Sequence, residues 1–315
     1  MKGGEMKPRL TGVVIHWHGE ELLDRLRRAW PNDPRFELLV VDNGSSRSLE
    51  GAPGRVLSPG CNLGFAGAAN LGLEEAQGEV LLLLNPDALP ETGALEALLE
   101  GFERWPDAAG LAPRLLGDDG TPQHRWQLRP LPRPSTLLLQ LLLIPAGEGA
   151  ADEPPPGTAV EQPAAAALAF RRSVLEELGG LDAGFYPAWF EDVDLARRLR
   201  DSGQVLRYCP EAVFRHGLGA SVPRMGYGPF LWVYYRNLLR YLRLHHGAGW
   251  TTLAKPILLL GMSLRLLLLP LRRPRRAKSR REAARGLLAV IAGVVSGWRR
   301  PHELTVRFSP PRATT

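Results

Sequence analysis

The chain has 315 residues, 44% hydrophobic and 23% charged, enough to bury one large core or two modest ones and too apolar to be disordered for most of its length. Its formal charge is +6, and nearly all of its basic side chains are arginine, lysine standing only at 2, 7, 255 and 278, a balance that suits anionic partners such as nucleotides, nucleic acid or phospholipid surfaces without choosing among them. Cys61 and Cys209 lie far apart without metal-ligand spacing, which argues against a disulfide framework and a structural zinc site and fits a cytoplasmic setting.

The start "MKGGEMKPRL" runs directly into "TGVVIHW", so no secretory leader is expected, and Met6 is a second candidate start. An apolar run at 10–16 is followed by a helical pattern at 20–30, the strand "FELLVVD" at 36–42 and a short strand at 55–57. Next come a helix over 66–76, the strand "EVLLLLN" at 79–85, a helix over 91–104 and "AAGLAPRLL". Strands that are continuous apolar runs, alternating with helices, predict an α/β fold with a mostly parallel central sheet covered on both faces. Asp42, Asn43 and Asp87 gather at strand C-termini, where open α/β sheets place ligands. Residues 143–163, rich in Pro, Gly and Ala, read as a surface loop joining two halves. Beyond "AAAALAFRRSVLEELGGLD" a helix is expected from Glu191 through Arg200, then a short strand at 205–208, the segment "EAVFRHGLGAS" and a helical region at 230–245.

The C-terminal part differs in kind. "PILLLGMSLRLLLLPLRR" at 256–273 is interrupted by Arg265 and Pro270, and "GLLAVIAGVVSGW" at 286–298 is shorter still. Residues 271–285 hold eight Arg or Lys and one Glu. An apolar helix beside a basic cluster reads as a segment on an anionic membrane face, through residues 252–300. Packing on the rest of the chain or in a homo-oligomer, and true spanning, are the other readings of the same pattern. Nucleic acid is not expected as a partner, because the basic residues are not interleaved with stacking aromatics.

Several constellations carry candidate chemistry. "VVDNGSS" ends a strand in Asp42, suited to ribose hydroxyls or a base, or simply to an Asx-turn. "GCNLGFAGAANLG" places Asn62, Gly64, Gly67 and Asn70 around a helix start, a cradle for a ligand or a tightly packed turn. In "LLLLNPDALP" Asp87 follows a buried strand directly and is open to two roles, turn residue or hard oxygen ligand for magnesium or manganese, with Asn85 beside it. "PAWFEDVDLARRLRDSG" collects Glu191, Asp192 and Asp194 in a first helical turn, where the dipole alone would favour them. Glu191 and Asp194 share a face at i,i+3 while Asp192 points elsewhere, and Trp189 and Phe190 offer an apolar wall that raises a carboxyl toward general-base range. His216 in "FRHGLGAS" is either structural or a nitrogen ligand to a metal held by Asp87.

Taken in order, "VVDNGS", "GCNLGFAGAANLG", "LLLLNPD", "GGLDAGF", "WFEDVDLARRLRDSG" and "HGLGAS" resemble family 2 glycosyltransferases of the GT-A fold, especially their bacterial rhamnosyltransferase-like branch, over residues 9–245. The resemblance implies a GT-A catalytic domain at 1–245, with a nucleotide-binding half at 9–120 and an acceptor half at 121–245, and a helical extension at 246–315. It implies an inverting, Mg2+- or Mn2+-dependent transfer of a sugar, rhamnose from its dTDP form first, from a nucleotide-diphospho-sugar to a glycan or lipid-linked acceptor in cell-surface polysaccharide synthesis. Asp192, with Glu191 beside it, would be the base. Asp42, Asn43, Asn62, Gly64, Asn70 and Asn85 would line the donor site, and Asp87 with His216 would hold the metal. Two departures stand out: four alanines at 164–167 where relatives carry a glycine, and His18 in the first-strand turn "HWHGE". A nucleotide-sugar-binding protein of the same fold without transferase activity is the alternative, needing neither Asp192 nor Asp87.

Overall fold

A computed structural model describes residues 7–45, 49, 54–142, 152–217, 225–271 and 273–298. The chain forms two compact units. The first, drawn from Met1–Leu131, Glu148–Gly184 and Glu191–Leu218, opens with β1 (Leu10–His16), α1 (Glu20–Ala29), β2 (Phe36–Asp42), β3 (Arg55–Leu57), α2 (Gly64–Glu75), β4 (Val80–Leu84), β5 (Ala88–Pro90), α3 (Ala94–Arg104) and β6 (Ala108–Leu116). After a single turn, α4 (His124–Gln127), and β7 (Leu128–Arg129), the chain passes through α5 (Pro134–Leu141) of the second unit. It returns with β8 (Ala159–Val160), β9 (Gln162–Pro163), β10 (Ala167–Arg171), α6 (Arg172–Glu177), α7 (Glu191–Asp201) and β11 (Val205–His216).

The sheet order is β3-β2-β1-β4-β10-β6-β11-β5, with β8 on β11. β3, β2, β1 and β4 run parallel, β10 is antiparallel between β4 and β6, and β11 is parallel to β6. The leucines of "LLLLN" show why a central strand reads as an unbroken apolar run: alternate side chains face opposite sides of the sheet. Leu82 and Leu84 enter one core with Leu26 of α1 and Leu98 of α3, and Leu81 and Leu83 enter the other with Ala69 of α2 and Leu175 of α6. Helix α2 sits close on β1 because Gly72 faces Val13: a Cβ there would stand 2.2 Å from Val13 Cγ1.

Two expected boundaries change. The strand at 205–208 does not stop there, because β11 continues to His216 past Pro210, with an irregularity in register between Cys209 and Val213 that accommodates the missing N–H. Within the expected loop, β8 and β9 are short strands, while 143–151 lie outside the described residues, as do Met6, the second serine of "VVDNGSS" and the last four residues of "HGLGAS".

The second unit comprises Pro132–Gly147, Phe185–Phe190 and Gly219–Thr315. Its long helices are α8 (Tyr227–His246), α9 (Ala248–Leu268) and α10 (Arg280–Ser296), each packed on the other two, with α9 also on α5. Asn237 of α8, fully buried, donates to the carbonyls of Phe185, Ala188 and Trp189. Helix α9 passes through Pro256 and Arg265 without interruption, and Arg265 donates to the carbonyls of Leu141 and Gln140 in α5.

Candidate active site

The parallel strands β1, β2 and β4 end at one edge of the sheet, at His16, Asp42 and Leu84, and the antiparallel β10 begins there, Ala167 lying opposite Leu84. Just past β4, Asn85 donates its backbone N–H to Ala166, which ties the Asn-Pro-Asp turn to the alanine stretch. Asp87 then leads into β5, whose antiparallel register on β11 sets His216 against Ala88. Two residues far apart in sequence therefore meet, His216 Nε2 lying 3.7 Å from Asp87 Oδ1, both side chains largely buried. Gln123 fixes the ring. Its Nε2 donates to the His216 carbonyl at 2.8 Å, so its Oε1, 2.9 Å from Nδ1, accepts the ring N–H. The lone pair is then on Nε2, facing the Asp87 carboxylate. Burial lowers the His216 pKa, opposed by Asp87 and Asp118, so the neutral ring is favoured. Trp126 stacks on the same imidazole at 5.4 Å and is itself 41% exposed.

A carboxylate oxygen and an imidazole lone pair facing one another across a gap too long for a hydrogen bond make a donor set that suits a divalent cation. Among the described residues no three His, Cys, Asp or Glu side chains converge as a metal cage. Two protein donors fit a magnesium- or manganese-type ion that takes its other ligands from phosphate oxygens and water.

The Asp42 group separates into two kinds of residue. Asp42 is buried at the end of β2, and its Oδ1 accepts from the Ser45 N–H at 3.0 Å, an Asx-turn. Asn43 and Asn62 brace the loop before α2. Asn43 Nδ2 donates to Asn62 Oδ1 and to the Gly64 carbonyl, and its Oδ1 accepts from the Leu63 N–H at 2.7 Å. Asn62 Oδ1 also accepts from Gly64 N–H, and Gly64 takes the left-handed conformation that this turn requires, φ 74°. Asn70 closes a two-bond clamp on the backbone of Leu181, 2.8 Å in each direction. That clamp gives Asn70 a structural role, joining α2 to the segment before α7. His16, absent from the sequence reading, is fully buried beside Asp42 with neither ring nitrogen hydrogen-bonded. His18 instead adopts φ 56° and reaches Ser45 Oγ through its backbone N–H at 3.5 Å.

The acids of α7 divide as their spacing predicts. Asp194 is buried in an ion pair with Arg198 at 2.8 Å, and Arg198 also donates to the carbonyls of Leu178 and Gly180, so this pair is a brace. Glu191 is buried with Oε2 lacking a hydrogen-bond partner, and its pKa is raised well above the ordinary value, first by desolvation and then by Asp192. Asp192 is half-buried. Gln162 Nε2 approaches its Oδ2 at 3.4 Å and the Val193 N–H donates to Oδ1 at 2.8 Å. Its pKa is also raised by desolvation, opposed by the nearby Arg129 and by the Val193 N–H. Gln162, which meets Asp192, stands just before the alanine stretch whose Ala166 carbonyl accepts from Asn85, so Asp192 borders the segment that meets the turn of Asp87. Gln123, Trp126, His16, Arg129 and Gln162 carry no local motif, so nothing in the sequence singled them out.

The carboxylate–imidazole pair and the buried strand-end Asp42 lie where the strands of an open α/β sheet end, the position at which such folds place ligands. The family described as Glycosyl transferase family 2 matches residues 20–179; the chain belongs to this family and is a glycosyltransferase. Among curated proteins, it is 28% identical over 280 residues to an N-acetylglucosaminyl-diphospho-decaprenol L-rhamnosyltransferase of Mycobacterium tuberculosis, 76% of this chain and 86% of the relative. Among solved structures, the mannosyltransferase PcManGT of Pyrobaculum calidifontis in complex with GDP-Man and Mn2+ aligns with TM-score 0.51 at 18% identity, over 93% of this chain and 88% of that one. GalNAc-T7 with UDP, GalNAc and Mn2+ aligns with TM-score 0.53 at 15% identity, over 74% of this chain, which spans 48% of the length of that one. These likenesses establish the GT-A fold.

Proposed function

We propose that the chain transfers a sugar, rhamnose first among candidates, from a nucleotide-diphospho-sugar to a hydroxyl of a lipid-linked glycan acceptor with inversion at the anomeric carbon, in the cytoplasm during cell-surface polysaccharide synthesis. The observation that supports the reading is the sheet edge at which Asp87 faces His216, bordered by the Gln162–Ala166 stretch that meets Asp192 through Gln162 and the Asn85 N–H through Ala166. The acceptor class and the sugar follow the name of the mycobacterial relative. Residues 1–245 are read as the catalytic domain and 246–315 as its helical extension.

Asp192 accepts the acceptor's hydroxyl proton as the oxygen attacks the anomeric carbon, and the bond from that carbon to the diphosphate oxygen breaks in the same displacement. Desolvation, by raising the Asp192 pKa, strengthens it as a base, while Arg129 keeps its ionised form accessible. Burial and the neighbouring Asp192 raise the Glu191 pKa, which favours its neutral form beside the base. Asp42 is placed for the nucleoside, held by the Ser45 turn. Asp87 and His216 would hold magnesium or manganese, which when bound neutralises charge on the departing diphosphate.

The test is a screen of purified protein against nucleotide sugars, reading donor-dependent diphosphate release with and without a lipid-linked acceptor. Release is expected with dTDP-rhamnose before a UDP-hexose, and Asp192→Asn is expected to lower transfer by about 10²–10⁴-fold while donor binding persists. Full activity of that variant overturns the base assignment. Donor binding without any release, in folded and metal-supplied protein, moves the chain to the sugar-nucleotide-binding alternative.

A further inference from the structure

Helix α9 has two apolar faces. Ala254, Leu258, Gly261 and Met262 are buried within the second unit. On the opposite side Leu253, Leu260 and Leu267 recur every seventh residue and are 50%, 53% and 74% exposed, and Leu271 just past the helix is 82% exposed. Helical spacing puts Leu253, Leu260 and Leu267 in one stripe, and leucines aligned in this way exceed the scattered exposure expected of a protein surface.

Basic residues follow the stripe at once. Arg273, Arg275, Arg276, Lys278, Arg280 and Arg281 are all exposed. Across residues 225–298 there are thirteen Lys or Arg against a single carboxylate, Glu282, in a chain whose total charge is only +6. The remainder of the chain is therefore net negative, and the positive charge is concentrated in the segment that exposes the leucines.

We infer that the outward leucine stripe of α9, with the arginine-rich segment after it, is a docking surface for an anionic phospholipid bilayer, lying in the headgroup layer. Charge complementarity selects this occupant: guanidinium groups attract anionic headgroups while the leucines enter the acyl boundary, whereas a second copy of the chain would bring the same positive charge against itself. By length and hydropathy α9 qualifies to cross a membrane, with 21 residues and a mean hydropathy of 1.4 over an 18-residue stretch. Its packing argues for the surface, since crossing would carry the adjoining α8, with Arg236, Arg240 and Arg243, into hydrocarbon. The inference rests on residues 248–281 and does not depend on which sugar is transferred.

The full-length protein is sedimented with vesicles of phosphatidylcholine, alone or mixed with phosphatidylglycerol, and donor-dependent diphosphate release is followed in the same samples. Binding is expected to favour the anionic vesicles by about tenfold or more and to weaken with added salt. Leu253→Glu with Leu260→Glu, and separately Arg275→Glu with Arg280→Glu, alter only exposed positions. Each pair is expected to weaken vesicle binding about tenfold while leaving the circular dichroism spectrum and diphosphate release unchanged. Equal binding to both vesicle types, binding insensitive to the substitutions, or no binding overturns the inference, whatever the diphosphate assay shows. A dimer that becomes monomeric on the leucine substitutions, and that ignores vesicles, assigns the stripe to a second copy instead.

Discussion

Glu191 and Gln123 illustrate how one side chain sets the chemistry of its neighbour. The Glu191 carboxyl is buried and its pKa is raised, chiefly by desolvation, so between the ordinary value of 4.5 and the folded value the native state binds more protons than the unfolded chain. Stability then falls as pH rises through that window. Glu191→Gln removes the dependence, and its melting temperature is expected to exceed that of the parent by about 2 °C or more at neutral pH and to match it near pH 4; parallel pH profiles of the two proteins would dismiss the protonated Glu191. Gln123 accepts the His216 Nδ1–H. With Gln123→Leu the ring can shift its proton to Nε2 and donate to Asp87, which occupies the lone pair a cation needs. Manganese affinity, measured by calorimetry without sugar donor, is expected to weaken about 10–100-fold. An unchanged affinity would show that Gln123 does not set the tautomer.

Helix α2 against β1 is the element-scale counterpart, because the loop that Asn43 and Asn62 brace leads straight into this helix. Gly72→Ala puts a Cβ 2.2 Å from Val13 Cγ1, so the helix must lift or Val13 must leave its rotamer, at a cost of about 1–3 kcal/mol in urea unfolding. Adding Val13→Ala should return part of that loss, and two additive losses would show that the contact is not the cause. The same strands show what was legible. β1, β2 and β4 could be read because strands buried on both faces leave uninterrupted apolar runs. β11 was cut short because Pro210 resembles a strand end until a register irregularity absorbs it. Helix α10 begins ahead of its apolar run, at Arg280, where Ser279 Oγ accepts from the Glu282 N–H at 3.1 Å; that capping pair was a readable signal. Asp87 and His216 were each identifiable by type and setting, but their meeting depends on β5–β11 register, and Gln123 reaches His216 because its N–H is tied to Leu115 of β6, the strand beside β11. No local pattern records a contact between distant strands.

At the scale of the whole molecule, the second unit is assembled from three separated stretches of chain. Helix α9 lies so close to α5 that a Cβ on Gly261 would stand 1.9 Å from the Leu141 carbonyl oxygen, and Arg265 caps that same carbonyl at 2.7 Å. Helix α10 buries Ala289 with Trp232 and Val233 of α8, and Gly286 meets the Gly228 backbone. Sequence order alone would make residues 246–315 a removable tail. The packing makes α9 and α10 the partners that cover apolar faces of α5 and α8, including Leu141, Trp232 and Val233, which are buried. A chain ending at residue 246 would therefore expose those faces and leave the Leu141 carbonyl without its guanidinium. The expected outcome is a protein that aggregates or binds a hydrophobic dye and lacks a single cooperative melt, read by sedimentation velocity and circular dichroism. A soluble truncated chain that melts as sharply as the parent would show that α5 and α8 are stable without α9 and α10, and that the C-terminal helices can be lost without structural consequence.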